Sequence, residues 1–154
     1  MIVPMLESHI VQIAALEKLC FSDPWSENSV RSELSNPLSL WLVAEEEGRV
    51  TGYVGSQSVP PEADVMNLAV APDCRKKGIG RALMAALIAQ LRSQGMTALF
   101  LEVRVGNLPA RSLYQSLGFV EVGRRQKYYV NPTEDALILR KELTDADTVD
   151  RILL

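Results

Sequence analysis

Apolar positions along this chain switch repeatedly between a period near 3.6 and a period near two, which predicts helices and strands in alternation. Met1 to Met5 can open a first strand. From Glu7 to Phe21, the residues Ile10, Ile13, Ala14, Leu16, Leu19 and Cys20 approximate one helical face, and Ser22-Asp23-Pro24 breaks the pattern. Trp25-Ser26 leads into a second helix, with Ser26 as N-cap, Val30 and Leu34 facing inward, and Asn36-Pro37 as its end. Leu40 to Ala44 and Val50 to Val59 read as a hairpin around Glu46-Glu47-Gly48-Arg49. Pro60-Pro61-Glu62 is a loop, and Asp64 to Val70 is the next strand.

The most ordered stretch runs from Met66 to Gly95. After the strand, closed by Ala71-Pro72-Asp73, the residues Ile79, Leu83, Leu87 and Leu91 recur every four positions beside Ala82, Ala86 and Ile88. That spacing puts an apolar stripe on one helical face, with Arg81, Gln90 and Arg92 off it and Gly95 as a left-handed stop. Between strand and helix lies Arg75-Lys76-Lys77-Gly78-Ile79-Gly80. The unpaired N–H groups of a first helical turn and the positive end of the helix dipole favour an anion there, and Gly78 and Gly80 let one approach. A dinucleotide fingerprint would need glycine where Leu83 stands, and a phosphate loop would need glycine and lysine in place of Leu83 and Met84. Spacing alone leaves two readings open: a site for a phosphate-rich ligand, or a loosened helix start with solvated lysines.

Thr97 to Val105 is a strongly apolar strand. Asn107-Leu108-Pro109 starts another helix, with Ala110, Leu113, Tyr114 and Leu117 as its stripe and Gly118 as its stop. Phe119 to Val130 and Ala136 to Leu143 form a final strand pair around Asn131-Pro132-Thr133. One mixed α/β domain over residues 1–143 is expected, a central sheet with helices on both faces. The acidic stretch 144–154 reads either as a frayed tail or as a short docking helix.

Composition narrows the class. The 154 residues, 47% hydrophobic and 23% charged, suit one globular domain with a real core. The apolar runs are short and interrupted by charge, so no membrane span is expected, and Met1-Ile2-Val3-Pro4 has no secretory pattern. A formal charge of −3 argues against a nucleic-acid partner. Arg75 to Lys77 suits a phosphate-rich cofactor, whereas Arg124-Arg125-Gln126-Lys127 reads first as a solvated strand face. Cys20 and Cys74 stand in unlike surroundings, and Cys20 reads as a buried free thiol, which fits a reducing, cytoplasmic setting. With a single histidine, His9, and no cysteine pair at ligand spacing, no metal site is expected. A monomer is favoured.

Two residues carry candidate chemistry. Glu102 lies within Thr97–Val105, a strand that otherwise reads as buried on both faces. A carboxylate there needs an ion pair, for which Arg104 on the same strand face is available, or else it lines a cleft with a perturbed pKa. Tyr114 shares its stripe with core residues, yet a packed tyrosine ring can still present its hydroxyl to a cleft. Trp25, a loop aromatic between two helices, fits a hydrophobic plug as well as a peptide contact.

The run L-A-V-x-P-x-x-R-x-x-G-x-G from Leu68 to Gly80 resembles the acetyl-CoA-binding motif of the GNAT acetyltransferases, and Asn107…Ala110…Leu113-Tyr114…Gly118-Phe119 resembles the same family's second block. Phe21-Ser22-Asp23-Pro24-Trp25-Ser26, Leu101-Glu102-Val103-Arg104, Tyr128-Tyr129 and Glu134-Asp135-Ala136 are similar to its ribosomal-protein-alanine N-acetyltransferase (RimI-type) branch. The resemblance implies the GNAT acyl-CoA N-acyltransferase fold, an α/β fold with a central, mostly antiparallel sheet. It implies acetyl-CoA as co-substrate, without a metal, with the pyrophosphate on the turn amides from Lys76 to Arg81, preceded by Arg75. It further implies oxyanion donors from Leu68-Ala69-Val70, and Asn107 against the pantetheine or the strand end.

By the same resemblance Glu102 is the proton acceptor and Tyr114 the proton donor. Trp25, Tyr128, Glu134 and Asp135 are candidates for contact with a protein N-terminus, most fittingly that of a basic ribosomal protein. The short Asn131-Pro132-Thr133 connection and the extension after Leu143 depart from the branch. A small-molecule amine acetyltransferase is the alternative, and a non-catalytic acyl-CoA sensor would need neither Glu102 nor Tyr114.

Overall fold

The alternation of periods resolves, in a computed structural model describing residues 1–144, into seven strands and four α-helices. In chain order these are β1 (Ile2–Pro4), α1 (Ile10–Cys20), α2 (Glu27–Ser32), β2 (Ser39–Glu46), β3 (Arg49–Val59), β4 (Glu62–Val70), α3 (Ile79–Ser93), β5 (Ala98–Arg104), α4 (Leu108–Ser116), β6 (Val120–Tyr129) and β7 (Glu134–Glu142). The strand order is β1-β2-β3-β4-β5-β7-β6. Pairings β1–β2, β2–β3, β5–β7 and β6–β7 are antiparallel, and β4–β5 is parallel over Glu62–Asp64 against Ala98–Phe100. This is the mostly antiparallel mixed sheet that was expected. Of the predicted extension 144–154, all but Thr144 lies outside the described residues.

Chain contacts group the described residues into two compact units. The first comprises Met1–Gln57 and Val65–Leu87. Ile10, Ile13, Val30, Val43, Tyr53, Val54, Leu83, Met84 and Leu87 are completely buried in it. Ser26 caps α2 as predicted, its hydroxyl accepting the Ser29 N–H at 3.1 Å.

Several positions in this unit depart from expectation. On α1 the buried positions are Ile10, Ile13, Ala14, Leu16 and Glu17, while Leu19 is exposed and Cys20 only half-buried. At about 100° per residue, position 19 falls opposite position 10 and position 17 returns beneath it, so helical geometry overrides residue type. Beyond α2 the chain tightens into a 3₁₀ turn, Glu33–Ser35, whose three-residue repeat turns Glu33 inward and leaves Leu34 exposed. Glu33 is satisfied there by Ser39, Gln57 and Asn36. Along α3, Met84 is buried and Ala82 exposed.

The second unit comprises Ser58–Asp64 and the described residues from Ile88 onward. Gly95 closes α3 as predicted, its N–H bonded to the Arg92 carbonyl and that of Met96 to Leu91. Strand β5 is not buried on both faces: Leu99, Leu101 and Val103 are buried, while Phe100, Glu102 and Arg104 are half-exposed. Strand β5 runs antiparallel to β7, and an antiparallel sheet can pack one face and leave the other to solvent, which is why a charged residue is tolerated there. Strand β7 begins at Glu134, ahead of the predicted Ala136, and pairs Glu134 with Tyr129. Between Arg125 and Tyr129 the register of β6 shifts, with Lys127 in the left-handed region at φ 52° and its N–H donated to Asp135 Oδ1 at 2.9 Å.

Candidate functional site

The first unit contributes the glycine turn. Val70 ends β4, Pro72–Cys74 makes a 3₁₀ turn with Cys74 buried, and α3 starts at Ile79. Lys76 at φ 64° and Gly78 at φ 82° curl the chain between them. At Gly78 no atom lies within 4 Å of where a Cβ would stand, so the turn opens outward, and its lysines are exposed. The N–H groups in the first turn of an α-helix point out along its axis, and the helix dipole adds to their pull on an anion. Asp73, opposite the Arg49 guanidinium at 2.6 and 2.9 Å, is pulled down to about 2 and serves to brace the turn. Arg75 is exposed and its guanidinium reaches back along the chain: its Nε donates to the Val70 carbonyl at 3.2 Å and its Nη2 to Cys20 Sγ at 3.5 Å. Upstream, Ala69 is buried and Leu68 and Val70 half-buried. The geometry therefore fits an extended, phosphate-rich anion on the amides from Lys76 to Arg81.

The second unit brings Glu102 and the tyrosine pair together. Glu102 Oε1 lies 2.9 Å from Arg125 Nε, and the Tyr128 hydroxyl hydrogen-bonds the same carboxylate. That bond, with partial burial and the negative charge behind it, raises the Tyr128 phenol above its ordinary value. Asp64 is raised by its own burial and by the nearby Glu102 and Glu62 charges. Arg104, expected beside Glu102, instead makes an ion pair with Glu134 at 3.3 Å, donates to the Pro132 and Val130 carbonyls, and stacks 4.4 Å above the Tyr129 ring. Burial, reinforced by Glu102, pushes the Tyr129 phenol up to about 12.

Tyr114 is buried at 7% exposure, edge-on to Phe119 with ring centroids 5.7 Å apart, and burial raises its phenol strongly. A phenol raised in this way stays protonated at neutral pH, which is the form a proton donor needs. Asn107 caps α4, its Oδ1 accepting the Ala110 N–H at 3.3 Å. Glu134 also accepts the Gly106 N–H, and Asp135 lies 3.9 Å from Arg124 besides holding Lys127. Both acidic residues are thus engaged within the fold. Trp25, in the first unit, sits half-buried in the α1–α2 connection, its ring 5.5 Å from that of Trp41.

Two participants escaped the sequence reading. Arg125 was assigned to a solvated face, and its partner Glu102 is reached only through the β5–β7–β6 pairing. Glu17 is not among the residues singled out on its helix, yet it is buried. Among the described residues no group of three or more His, Cys, Asp or Glu side chains is placed to hold a metal ion.

Residues 10–119 match the model of the acetyltransferase (GNAT) family. The chain is 37% identical over 126 residues to the [ribosomal protein bS18]-alanine N-acetyltransferase of Escherichia coli K12, covering 80% of this chain and 84% of that one. The crystal structure of the ribosomal-protein-S18-alanine N-acetyltransferase from Escherichia coli superposes with a TM-score of 0.87 at 33% identity, covering 95% of each chain. The NatC complex bound to Gag peptide and CoA superposes with a TM-score of 0.82 at 25% identity, over 94% of this chain and 98% of that one. With matches of this extent to a family of acetyl-CoA-dependent N-acetyltransferases, the chain belongs to the GNAT acetyltransferases.

Proposed function

We propose that this enzyme transfers the acetyl group of acetyl-CoA to the N-terminal α-amine of a protein, the N-terminal alanine of a basic ribosomal protein, in the cytoplasm. The observation that carries the reading is the similarity, over four fifths of the chain, to a relative named for that reaction. The half-buried carboxylate of Glu102 and the protonated phenol of Tyr114 supply the acid and base the reaction needs. Residues 1–143 act as the catalytic domain. Among the described residues no helix is long and apolar enough to cross a membrane.

The turn amides from Lys76 to Arg81 hold the CoA pyrophosphate, with Lys76 and Lys77 adding charge. Arg75 supports the turn from behind through its bond to Val70. Backbone N–H groups of Leu68-Ala69-Val70 face the thioester oxygen, and Asn107, whose Oδ1 is engaged as a cap, offers its amide N–H₂ to the pantetheine. An α-amine has a pKa of about 7.7–8.0, so one proton must leave before or during attack. Glu102 accepts that proton as the new N–C bond forms. Amides in oxyanion position stabilise the tetrahedral adduct. The C–S bond then breaks, Tyr114 delivers its proton to the departing sulfur, and the second proton released from the nitrogen returns through solvent to the phenolate. In the first unit Trp25 contacts the peptide, and in the second Tyr128 does so, with Glu134 and Asp135 acting through Arg104 and the Lys127 bulge.

Incubation with labelled acetyl-CoA and a ribosomal-protein fraction, followed by mass spectrometry, tests the reading. A single protein labelled at its N-terminal alanine is expected. Label confined to lysine side chains, or equal labelling of an N-terminally blocked peptide, would overturn it.

A further inference from the structure

Glu17 is completely buried, yet neither the acetyl transfer nor the cofactor turn accounts for it. A carboxylate removed from water is costly, and an apolar residue of similar volume is often equally stable or better in its place. Its partners explain the position. Oε1 accepts the backbone N–H of Trp25 at 3.1 Å and the Asn67 side-chain amide at 2.7 Å, while Oε2 accepts the Tyr53 hydroxyl. Three separate elements, the α1–α2 connection, β4 and β3, therefore meet on one carboxylate.

These contacts close a ring. The Trp25 indole lies tilted on Trp41 with centroids 5.5 Å apart, Trp41 stacks on Tyr53 at 6.0 Å and an interplanar angle of 13°, and Tyr53 returns to Glu17. Strands β3 and β4 are fixed by the sheet, so Tyr53 and Asn67 hold the carboxylate and not the reverse. The segment Phe21–Ser26 belongs to neither helix nor strand, and Glu17 takes hold of it at Trp25. Asn67 directly precedes Leu68, so the same carboxylate references the loop to the stretch of β4 that faces the thioester.

We propose that Glu17 is a positioning residue for the peptide: it fixes the backbone of Trp25, and with it the α1–α2 connection, in the conformation that receives the substrate N-terminus. The inference rests on the reading that Trp25 borders the peptide path. A single acceptor oxygen suffices for Trp25 and Asn67, and the Tyr53 hydroxyl can turn round to accept a hydrogen bond as readily as it donates one. Glutamine should therefore preserve the arrangement. Methionine, of similar length but without an acceptor, should release Trp25.

The test compares Glu17→Gln and Glu17→Met by steady-state kinetics with an alanine-initiated peptide, by CoA titration, and by amide hydrogen exchange over residues 21–26. Glu17→Met is expected to raise the peptide KM roughly ten- to hundredfold, the cost of a small misplacement. CoA affinity should stay within about twofold, and exchange protection at Trp25 should be lost. Glu17→Gln should restore both protection and KM. An unchanged peptide KM in Glu17→Met, or equal defects in the two variants, would overturn the proposal. If wild-type enzyme acetylated no N-terminal peptide, the functional reading would fail instead. The anchoring would then be decided by exchange alone: retained protection in Glu17→Met removes it.

Discussion

Arg125 Nε sits 2.9 Å from Glu102 Oε1, so the carboxylate proposed to take the amine's proton already faces a cation. The Arg125 side chain is 56% exposed, and an ion pair at such a site contributes about 0–1 kcal/mol. An incoming α-ammonium can therefore displace the guanidinium at little cost. Arg125→Met is expected to change the peptide KM by less than about fivefold and to leave kcat nearly intact. A loss in kcat comparable to that of a Glu102 variant would instead make Arg125 part of the chemistry.

Glu102→Gln keeps the shape and removes the proton acceptor. A fall in kcat of roughly 10²–10⁴-fold is expected, the usual worth of general acid–base help. The deficit should narrow at high pH, where more of the amine is already neutral. The same variant has a spectroscopic signature. Tyr128 is raised principally by its bond to Glu102 and Tyr129 in part by the Glu102 charge, so the substitution should let both phenols titrate at lower pH in the ultraviolet difference spectrum. An unchanged tyrosine titration would argue that the Tyr128 hydroxyl is not on that carboxylate.

Tyr114 separates packing from proton transfer. Its ring is buried against Phe119, so Tyr114→Ala should destabilise by about 3–5 kcal/mol, taking phenylalanine truncation as the guide. Tyr114→Phe leaves the ring contact intact and deletes only the hydroxyl. Stability should then change little while turnover falls by roughly 10²-fold or more. Full activity in Tyr114→Phe, with a normal melt, would reduce Tyr114 to a core residue.

What could be read in advance follows sequence distance. The strand-turn-helix unit from Met66 to Gly95 was legible because its signals are local: the four-residue stripe, the paired glycines and the stop at Gly95. Glu102 stood out as a charge in an apolar strand, and Ser26 as a cap before a helical run. Glu17 and Arg125 were hidden for opposite reasons. The inward position of Glu17 follows from helical angle, but a reader sorting by residue type passes over it for Leu19, which points out at 66% exposure. Arg125 meets Glu102 only after β7 has inserted between β5 and β6, a strand order that no local pattern encodes. The inward turn of Glu33 required the α2 helix to tighten into 3₁₀ geometry, which residue preferences do not announce.

Gly80→Val addresses the turn directly. Gly80 lies in the first turn of α3, half-buried, where a branched side chain would meet a pyrophosphate held on the neighbouring amides. The acetyl-CoA KM should rise at least about tenfold, by loss of close backbone approach to the phosphate. The peptide KM should move much less, and the melt should show a folded protein. Wild-type CoA affinity in a folded Gly80→Val variant would place the pyrophosphate elsewhere.

Glu17 also predicts how stability depends on pH. Burial holds its carboxyl above the usual glutamate range, against the lowering pull of the Tyr53, Trp25 and Asn67 hydrogen bonds. A group whose folded pKa is raised contributes stability that is fully present below its unfolded value, about 4.3 for glutamate, and is lost as pH rises through the folded value. Glu17→Gln carries no titrating proton and keeps the neutral form at every pH. Its melting temperature relative to wild type should therefore climb from pH 4 toward pH 8, since every other titrating group cancels in the comparison. A difference that stays flat over that range would mean that the buried carboxyl titrates at its unfolded value, and a difference that falls would mean that the hydrogen bonds outweigh burial.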